Sequence, residues 1–258
     1  MSKGYKTIPI SFNRKMVTAS ASVTKQRANA IHSFTEVDIT EPRKILKDHY
    51  KRTGEKLSLT AYIVTCLAQV LKQYPQFNSF IKRGKLVLLD EVTISVLVER
   101  EFEGEKVPEP VGIKQAQNKT FNRIQTEIRE AKKQSDKKLG SLSNQTWINY
   151  IPGFLLKTFI RIADKNIKMA KRYGKTGVTA VGMFSREPIW FIPHGTATVL
   201  LTVGSIVNRI VEFNRQIVAR EHLCLTVSFD HNIVDGAPAA RFMNQLVETI
   251  KNGTLLRP

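Results

Sequence analysis

The sequence predicts an α/β (α+β) fold, a mixed, largely antiparallel sheet flanked by helices. Runs at helical spacing and runs at strand spacing are intermingled along the chain, no regular βαβ rhythm links them, and the last third is strand-rich before it closes on a helix. With 258 residues, 42% of them apolar, one domain spanning 1–258 with a substantial core is expected, and no internal repeat divides it.

Ser58 is placed to cap a helix in which Leu59, Ile63, Leu67, Val70, Leu71 and Tyr74 recur at helical spacing until Pro75 ends the run. After a turn at Gly84, residues 86–89 and the alternating Val92, Ile94, Val96 and Val98 read as a hairpin. Thr120 caps an amphipathic helix through Phe121, Ile124, Ile128 and Ala131, which fades into a polar linker over 132–140. In residues 147–175, Trp147, Ile148, Ile151, Phe154, Leu155, Phe159, Ile162 and Ile167 interleave with Lys157, Arg161, Lys165, Lys168, Lys171 and Arg172. This predicts a basic amphipathic helix starting near Pro152, of the kind that lies on an anionic membrane or covers an apolar surface of its own protein or of a neighbouring subunit. Gly177-Val-Thr-Ala-Val-Gly182 and residues 198–203, 206–211 and 223–229 read as strands, and a final helix opens at Pro238 and ends at Gly253.

The balance of 40 Lys+Arg against 22 Asp+Glu gives a net charge of +18, which attracts anions: nucleic acid, acidic lipid, acidic proteins or phosphorylated cofactors. No nucleic-acid reader motif accompanies that charge. Cys66 and Cys224 each lie in an apolar run, the setting of a buried, reduced thiol. With no signal-like start and no apolar run long enough to span a bilayer, a cytoplasmic protein is expected, with peripheral membrane contact left open.

There is no phosphate loop, His-Glu-x-x-His, paired Cys-x-x-Cys or Gly-x-Ser-x-Gly elbow, and no metal is expected. Of the five histidines, His32 and His49 lie beside a strand start and on a polar helix end, His194 follows a proline in a loop, and His222 precedes a strand. His231 comes directly after a strand whose Leu223, Leu225, Val227 and Phe229 face one way, and four residues before Asp235-Gly236. A base at a strand end can meet substrate at the mouth of a sheet, a glycine there lets the chain turn or approach another backbone, and the aspartate can fix a turn or pair with a cation. His-x-x-x-Asp-Gly is nevertheless a short pattern.

The run Thr226-Val-Ser-Phe-Asp-His-Asn-Ile-Val-Asp-Gly-Ala-Pro-Ala-Ala-Arg-Phe-Met-Asn-Gln-Leu246 resembles the C-terminal signature of the catalytic domain of the 2-oxoacid dehydrogenase dihydrolipoamide acyltransferases, relatives of chloramphenicol acetyltransferase. Asn13-Arg-Lys-Met16 and His32-Ser-Phe-Thr-Glu-Val-Asp-Ile-Thr40 resemble that family's opening helix and first strand. Lys56-Leu-Ser-Leu-Thr-Ala-Tyr-Ile-Val64 and Tyr74-Pro-Gln-Phe-Asn78 resemble its next helix and turn. The likeness runs in order along nearly the whole chain apart from about residues 135–175.

What the resemblance implies is a two-layer chloramphenicol acetyltransferase-like fold and a homotrimer, or a higher multiple of one, with active-site channels between neighbours. Coenzyme A, as a substrate, enters from one side and a dihydrolipoyl arm from the other. His231 matches the family's general base, taking a proton from the attacking thiol. Aligned on Gly182, Thr179 matches the hydroxyl that stabilises the oxyanion; Ser185 is the alternative if the register differs. Asp235 takes an orienting role, pairing with a cation for which Arg14 is the candidate, while Gly236, Asn232 and Gly182 give structural support.

Three departures accompany the likeness. The chain begins at the catalytic domain without lipoyl or subunit-binding modules, so no lipoyl group is expected on it and a lipoyl domain would come from another protein. The arginine usual after the histidine is Asn232. A basic segment at about 141–175 is inserted where the family has a short connection. The expected function is acyl transfer between coenzyme A and a dihydrolipoyl-type thiol or another small acceptor. The alternative is a non-catalytic trimeric scaffold or interaction module whose basic surface binds an acidic partner or an anionic membrane.

Overall fold

A computed structural model describes residue 7 and residues 12–25, 29–102, 105–133, 152–185 and 187–256. In chain order these form α1 (Phe12–Lys25), β1 (Ala30–Asp38), α2 (Thr40–Thr53), α3 (Leu59–Gln73), β2 (Ser79–Lys82), β3 (Lys85–Leu88), β4 (Ile94–Phe102) and β5 (Glu105–Ile113). There follow α4 (Phe121–Lys133), α5 (Gly153–Asp164), α6 (Ile167–Tyr173), β6 (Thr176–Ala180), β7 (Val199–Phe213), β8 (Gln216–Asp230) and α7 (Gly236–Asn252), with short 3-10 turns between some of them.

One sheet runs β1-β8-β7-β6-β4-β5, and β2 and β3 pair separately. The contacts β1/β8, β8/β7 and β4/β5 are antiparallel, whereas β7/β6 and β6/β4 are parallel. This is the mixed sheet flanked by helices that the sequence predicts.

The capping residues act as their chemistry directs: Ser58 Oγ accepts from Ala61 N at 3.2 Å, and Thr120 Oγ1 accepts from Arg123 N at 3.4 Å. The apolar α3 is buried almost all round and packs against α4 and α7. On β8, Leu223, Leu225, Val227 and Phe229 alternate onto one face and are fully buried there with the helices.

An aromatic cluster joins that strand end to its flanking helix. Phe77 and Phe242 stack at 4.6 Å, Phe229 stands edge-on to both at 5.7 Å, and Tyr74 stands edge-on to Phe77 and Phe242 at 5.4 Å.

Several expectations need correction. The turn at Gly84 joins β2 to β3, so residues 86–88 pair back on Ser79–Lys82 and not with residues 92–98. The alternating run at 94–98 pairs instead with β5, a strand that prolines hide in the sequence. Pro108 and Pro110 are tolerated because β5 is the sheet edge, where a missing N–H costs no ladder bond. Residues 198–203 and 206–211 belong to one strand, β7, bent by a bulge between Val203 and Ile206. The last helix opens at Gly236, with Pro238 inside its first turn, where proline costs little.

The basic amphipathic segment starts where expected, with Pro152 capping α5, but it is two helices. The chain breaks at Lys165 and Asn166, and Asn166 Oδ1 accepts from Lys168 N and Met169 N to begin α6. Trp147, Ile148 and Ile151 lie outside the described residues. Among the described residues no helix is long and apolar enough to cross a membrane. Cys66 and Cys224 are both free and buried, and burial pushes the Cys66 thiol up to about 12.

A partly buried ion pair ties β1 to β8. Arg220 Nε donates to Asp38 Oδ2 at 2.5 Å, Thr40 N donates to Asp38 Oδ1 at 2.9 Å, and the Arg220 guanidinium lies 4.2 Å from the Phe213 ring centroid. Burial pushes the Asp38 carboxyl up, but the hydrogen bonds from Thr40 and Arg220 outweigh it and hold the group below its ordinary value.

Two outcomes follow. Phe242→Ala is expected to lower the unfolding free energy by about 3–5 kcal/mol in urea titrations, because the stacked ring cannot be replaced by collapse of its neighbours; a loss near zero would refute the cluster's role. Because the folded Asp38 binds its proton less readily than the unfolded chain, its contribution is present above about pH 4 and is lost as pH falls further. Urea midpoints measured against pH should therefore drop below about pH 4, with a shallower drop in Asp38→Asn.

Candidate active site

The strand β8 ends at Asp230, and the following turn is fastened from three sides. Ile233 N and Val234 N both donate to Asp230 O at 3.0 Å, and His231 N donates to Asn29 O at 2.6 Å. Asp230 Oδ1 accepts from Asn232 N at 3.0 Å and from Asn232 Nδ2 at 2.6 Å, and Asn29 Nδ2 donates to Asn232 Oδ1 at 3.1 Å. Asn232 thus stitches the turn to the chain entering β1.

The His231 ring is oriented by its own turn. Nδ1 lies 3.0 Å from the carbonyl oxygen of Val234. A carbonyl only accepts, so Nδ1 carries the hydrogen, and in the neutral ring Nε2 keeps its lone pair. Val234 is itself buried in the core, so the acceptor is anchored, while the His231 side chain is 45% exposed. Asp235 Oδ1 lies 3.5 Å from the same Nδ1, with its side chain 83% exposed. Two residues before His231, Phe229 is wedged against Phe77 and Phe242, which links the turn to the core.

Thr179 is half-buried on β6, in register with Thr202 of β7. It lines a cavity of about 400 Å³ together with Ser95, Tyr173, Thr176, Pro193 and His194. His194, which the sequence offers only as a loop histidine after a proline, is a wall of this cavity, and the buried Asp164–Lys175 pair, 2.7 Å apart, contributes another part of it. Ser185, the alternative hydroxyl, accepts from Glu187 N at 3.1 Å and donates to Glu187 O at 3.2 Å, a local turn bond outside the cavity lining.

A Cβ at Gly182 would stand 1.6 Å from Gly204 O at the bulge of β7, so the close approach of the two backbones there needs glycine. At Gly236 a Cβ would meet nothing within 4 Å, and its φ lies outside the left-handed region.

His231 and Thr179 are not brought together within one chain. Thr179 pairs with Thr202, which pairs with Thr226, and His231 lies five residues further along β8. Two strand spacings and that length of strand separate them by roughly 19 Å.

Comparison with known proteins agrees with this architecture. Residues 2–146 and 164–257 match the family described as 2-oxoacid dehydrogenases acyltransferase (catalytic domain), and the interruption falls inside the basic aromatic segment. The chain is 29% identical over 260 residues to the lipoamide acyltransferase component of the branched-chain alpha-keto acid dehydrogenase complex of Bacillus subtilis (strain 168), covering 97% of this chain and 54% of that protein. The chain thus spans about half the length of the curated relatives it matches. Among solved structures, a probable dihydrolipoamide acetyltransferase from Listeria monocytogenes 4b F2365 superposes with a TM-score of 0.70 at 26% identity, covering 96% of this chain and 95% of the other. A chloramphenicol acetyltransferase shares the fold at 12% identity, with a TM-score of 0.51 and coverage of 95% and 98%. The chain belongs to the family of 2-oxoacid dehydrogenase acyltransferase catalytic domains.

Proposed function

We propose that the chain transfers an acyl group between coenzyme A and a dihydrolipoyl-type thiol or another small acceptor, with His231 as general base and Thr179 as the hydroxyl donor to the oxyanion. The observation that carries this reading is the Nδ1–H bond to the Val234 carbonyl, which leaves Nε2 as a fixed, solvent-reachable proton acceptor.

In the forward direction the attacking S–H gives its proton to His231 Nε2 as the sulfur bonds to the thioester carbonyl carbon. The carbonyl π pair moves onto oxygen, where Thr179 Oγ1–H donates to it. Collapse of the tetrahedral intermediate breaks the bond to the leaving thiolate, which takes the proton back from the imidazolium. Asp235, whose Oδ1 lies 3.5 Å from Nδ1, takes an orienting role.

The separation of His231 from Thr179 within one protomer supports a site shared between neighbouring copies, and so a trimer or a multiple of one, with coenzyme A and a lipoyl domain from another protein as partners. A cytoplasmic setting belongs to the same reading, supported by two free, buried thiols. The scaffold alternative differs in one respect: it keeps the assembly without histidine-dependent turnover.

With acetyl-CoA and dihydrolipoamide, His231→Ala is expected to slow release of coenzyme A by about 10²- to 10⁴-fold. Turnover equal to that of the unaltered protein would reject the assignment, and a trimer without turnover in either protein would favour the scaffold. Thr179→Val should lose about 3 kcal/mol of transition-state stabilisation, seen in kcat, while Thr179→Ser recovers most of it and Ser185→Ala stays near the starting rate. If the site is shared, trimers reassembled from His231→Ala and Thr179→Val chains regain activity that neither has alone. Failure to regain it in verified mixed trimers would place both residues in one protomer's site.

A further inference from the structure

The cavity beside Thr179 has a floor and a wall of different origin. Its floor is one face of three adjacent strands: Ser95 and Leu97 of β4, Gly177 and Thr179 of β6, and Leu200 of β7. Ser95 pairs with Gly177, which pairs with Leu200, while the alternate residues Val96, Val178 and Leu201 belong to the buried core. A Cβ at Gly177 would stand 2.8 Å from Leu200 Cδ2 and one at Gly195 would stand 3.0 Å from Leu200 Cδ1, so the two glycines leave the leucine its place in the lining.

The wall is helical. Ile160 and Ala163 come from α5, Met169 and Tyr173 from α6. Ile160 and Ala163 fall in residues 147–163, so this part of the wall lies outside the residues that match the family.

Charge and size narrow what the cavity suits. Lys175 is the one lysine or arginine among the described residues lining it, and its Nζ donates to Asp164 Oδ1 and to Asp164 O, both at 2.7 Å. The two side chains are 6% and 5% exposed, a buried pair without net charge, whose carboxylate repels a second one. A carboxylate brought in on a ligand would therefore be desolvated without a cation of its own. The floor is roughly 10 Å across its three strands, whereas the methyl of an acetyl group stands one bond, about 1.5 Å, from its carbonyl carbon. A dry aliphatic hollow of about 150 Å³ holds a six-carbon ring, and this cavity has about 400 Å³.

Resting on the reading of Thr179 as oxyanion donor, we infer that this cavity takes the acyl group of the thioester and that its α5 wall selects an uncharged, apolar acyl chain of about six to eight carbons. The carbonyl sits at Thr179 Oγ1, and the chain runs over Leu200 and Gly177 against Ile160 and Ala163. The transfer itself is the one already written; the cavity decides which acyl group is carried.

The test measures coenzyme A release from acetyl-, butyryl-, hexanoyl-, octanoyl- and succinyl-CoA with dihydrolipoamide as acceptor, alongside calorimetric titration of the same thioesters without acceptor. Each buried methylene is expected to raise kcat/KM and affinity about fourfold as far as hexanoyl. Succinyl-CoA should fall at least about 100-fold below butyryl-CoA, its uncharged counterpart of equal length. Ala163→Phe narrows the cavity and should lower the hexanoyl-to-acetyl ratio at least about tenfold, whereas Lys157→Gln, at an exposed α5 position outside the lining, leaves that ratio as it was. Ile160→Ala enlarges the cavity and should move the optimum towards octanoyl, which keeps the question open to test if Ala163→Phe fails to fold. Equal rates and affinities for acetyl, hexanoyl and succinyl thioesters, or a preference that neither cavity variant moves, overturns the inference and leaves His231 and Thr179 in their roles. Chain-length-dependent binding that the cavity variants alter, in a protein without turnover, keeps the acyl site and rejects the chemistry. Absence of binding by every thioester removes both.

Discussion

The hydrogen bond from His231 Nδ1 to the Val234 carbonyl decides which nitrogen of the ring can accept a proton, and the surrounding structure exists at this point to keep that bond in place. A histidine on an exposed turn would otherwise sample several rotamers and both tautomers. Here the residue accepting the bond is buried, the turn closes on Asp230 O, and Asn232 couples it to Asn29. Phe229 extends the constraint inward, because its ring is held edge-on by Phe77 and Phe242. The aromatic core of the domain and the orientation of one exposed imidazole are therefore one packing problem.

Under the proposed mechanism, the same sheet leaves a single protomer chemically incomplete. Antiparallel β8 carries His231 out at one end, while β6, two strands away, holds Thr179 well back along the sheet in a cavity of its own. A base and an oxyanion donor act on one carbonyl only when both are within hydrogen-bond reach of it. With a separation near 19 Å inside one chain, the proposed mechanism needs association between copies. The family match lapses over residues 147–163, within which most of α5 lies. Asp164 and Lys175, on either side of α6, form a buried pair in the wall of the Thr179 cavity.

Much of this was legible in the residues. The cap at Ser58, the stop at Pro75 and the one-sided apolar run into Phe229 are local signals, and local chemistry decided them. The hairpin at Gly84 was misread because the sequence marks where a turn is, not which strand pairs across it; pairing depends on the whole sheet. Strand β5 stayed hidden because Pro108 and Pro110 argue against a strand unless its edge position is known. At the site, His231 stood out through its strand and its family motif, but the Nδ1 bond to Val234 involves a backbone carbonyl, and no residue type announces that. His194 was invisible as a cavity wall because no residue type announces that the loop joining β6 to β7 lies against the cavity those strands line.

A crystal structure of the assembled protein with coenzyme A bound tests the central claim most directly. The account predicts the coenzyme sulfur within about 3–3.5 Å of His231 Nε2, with Thr179 Oγ1 of an adjoining protomer facing the same point. A sulfur directed away from that nitrogen, or a channel reaching His231 that no neighbouring Thr179 enters, would contradict it.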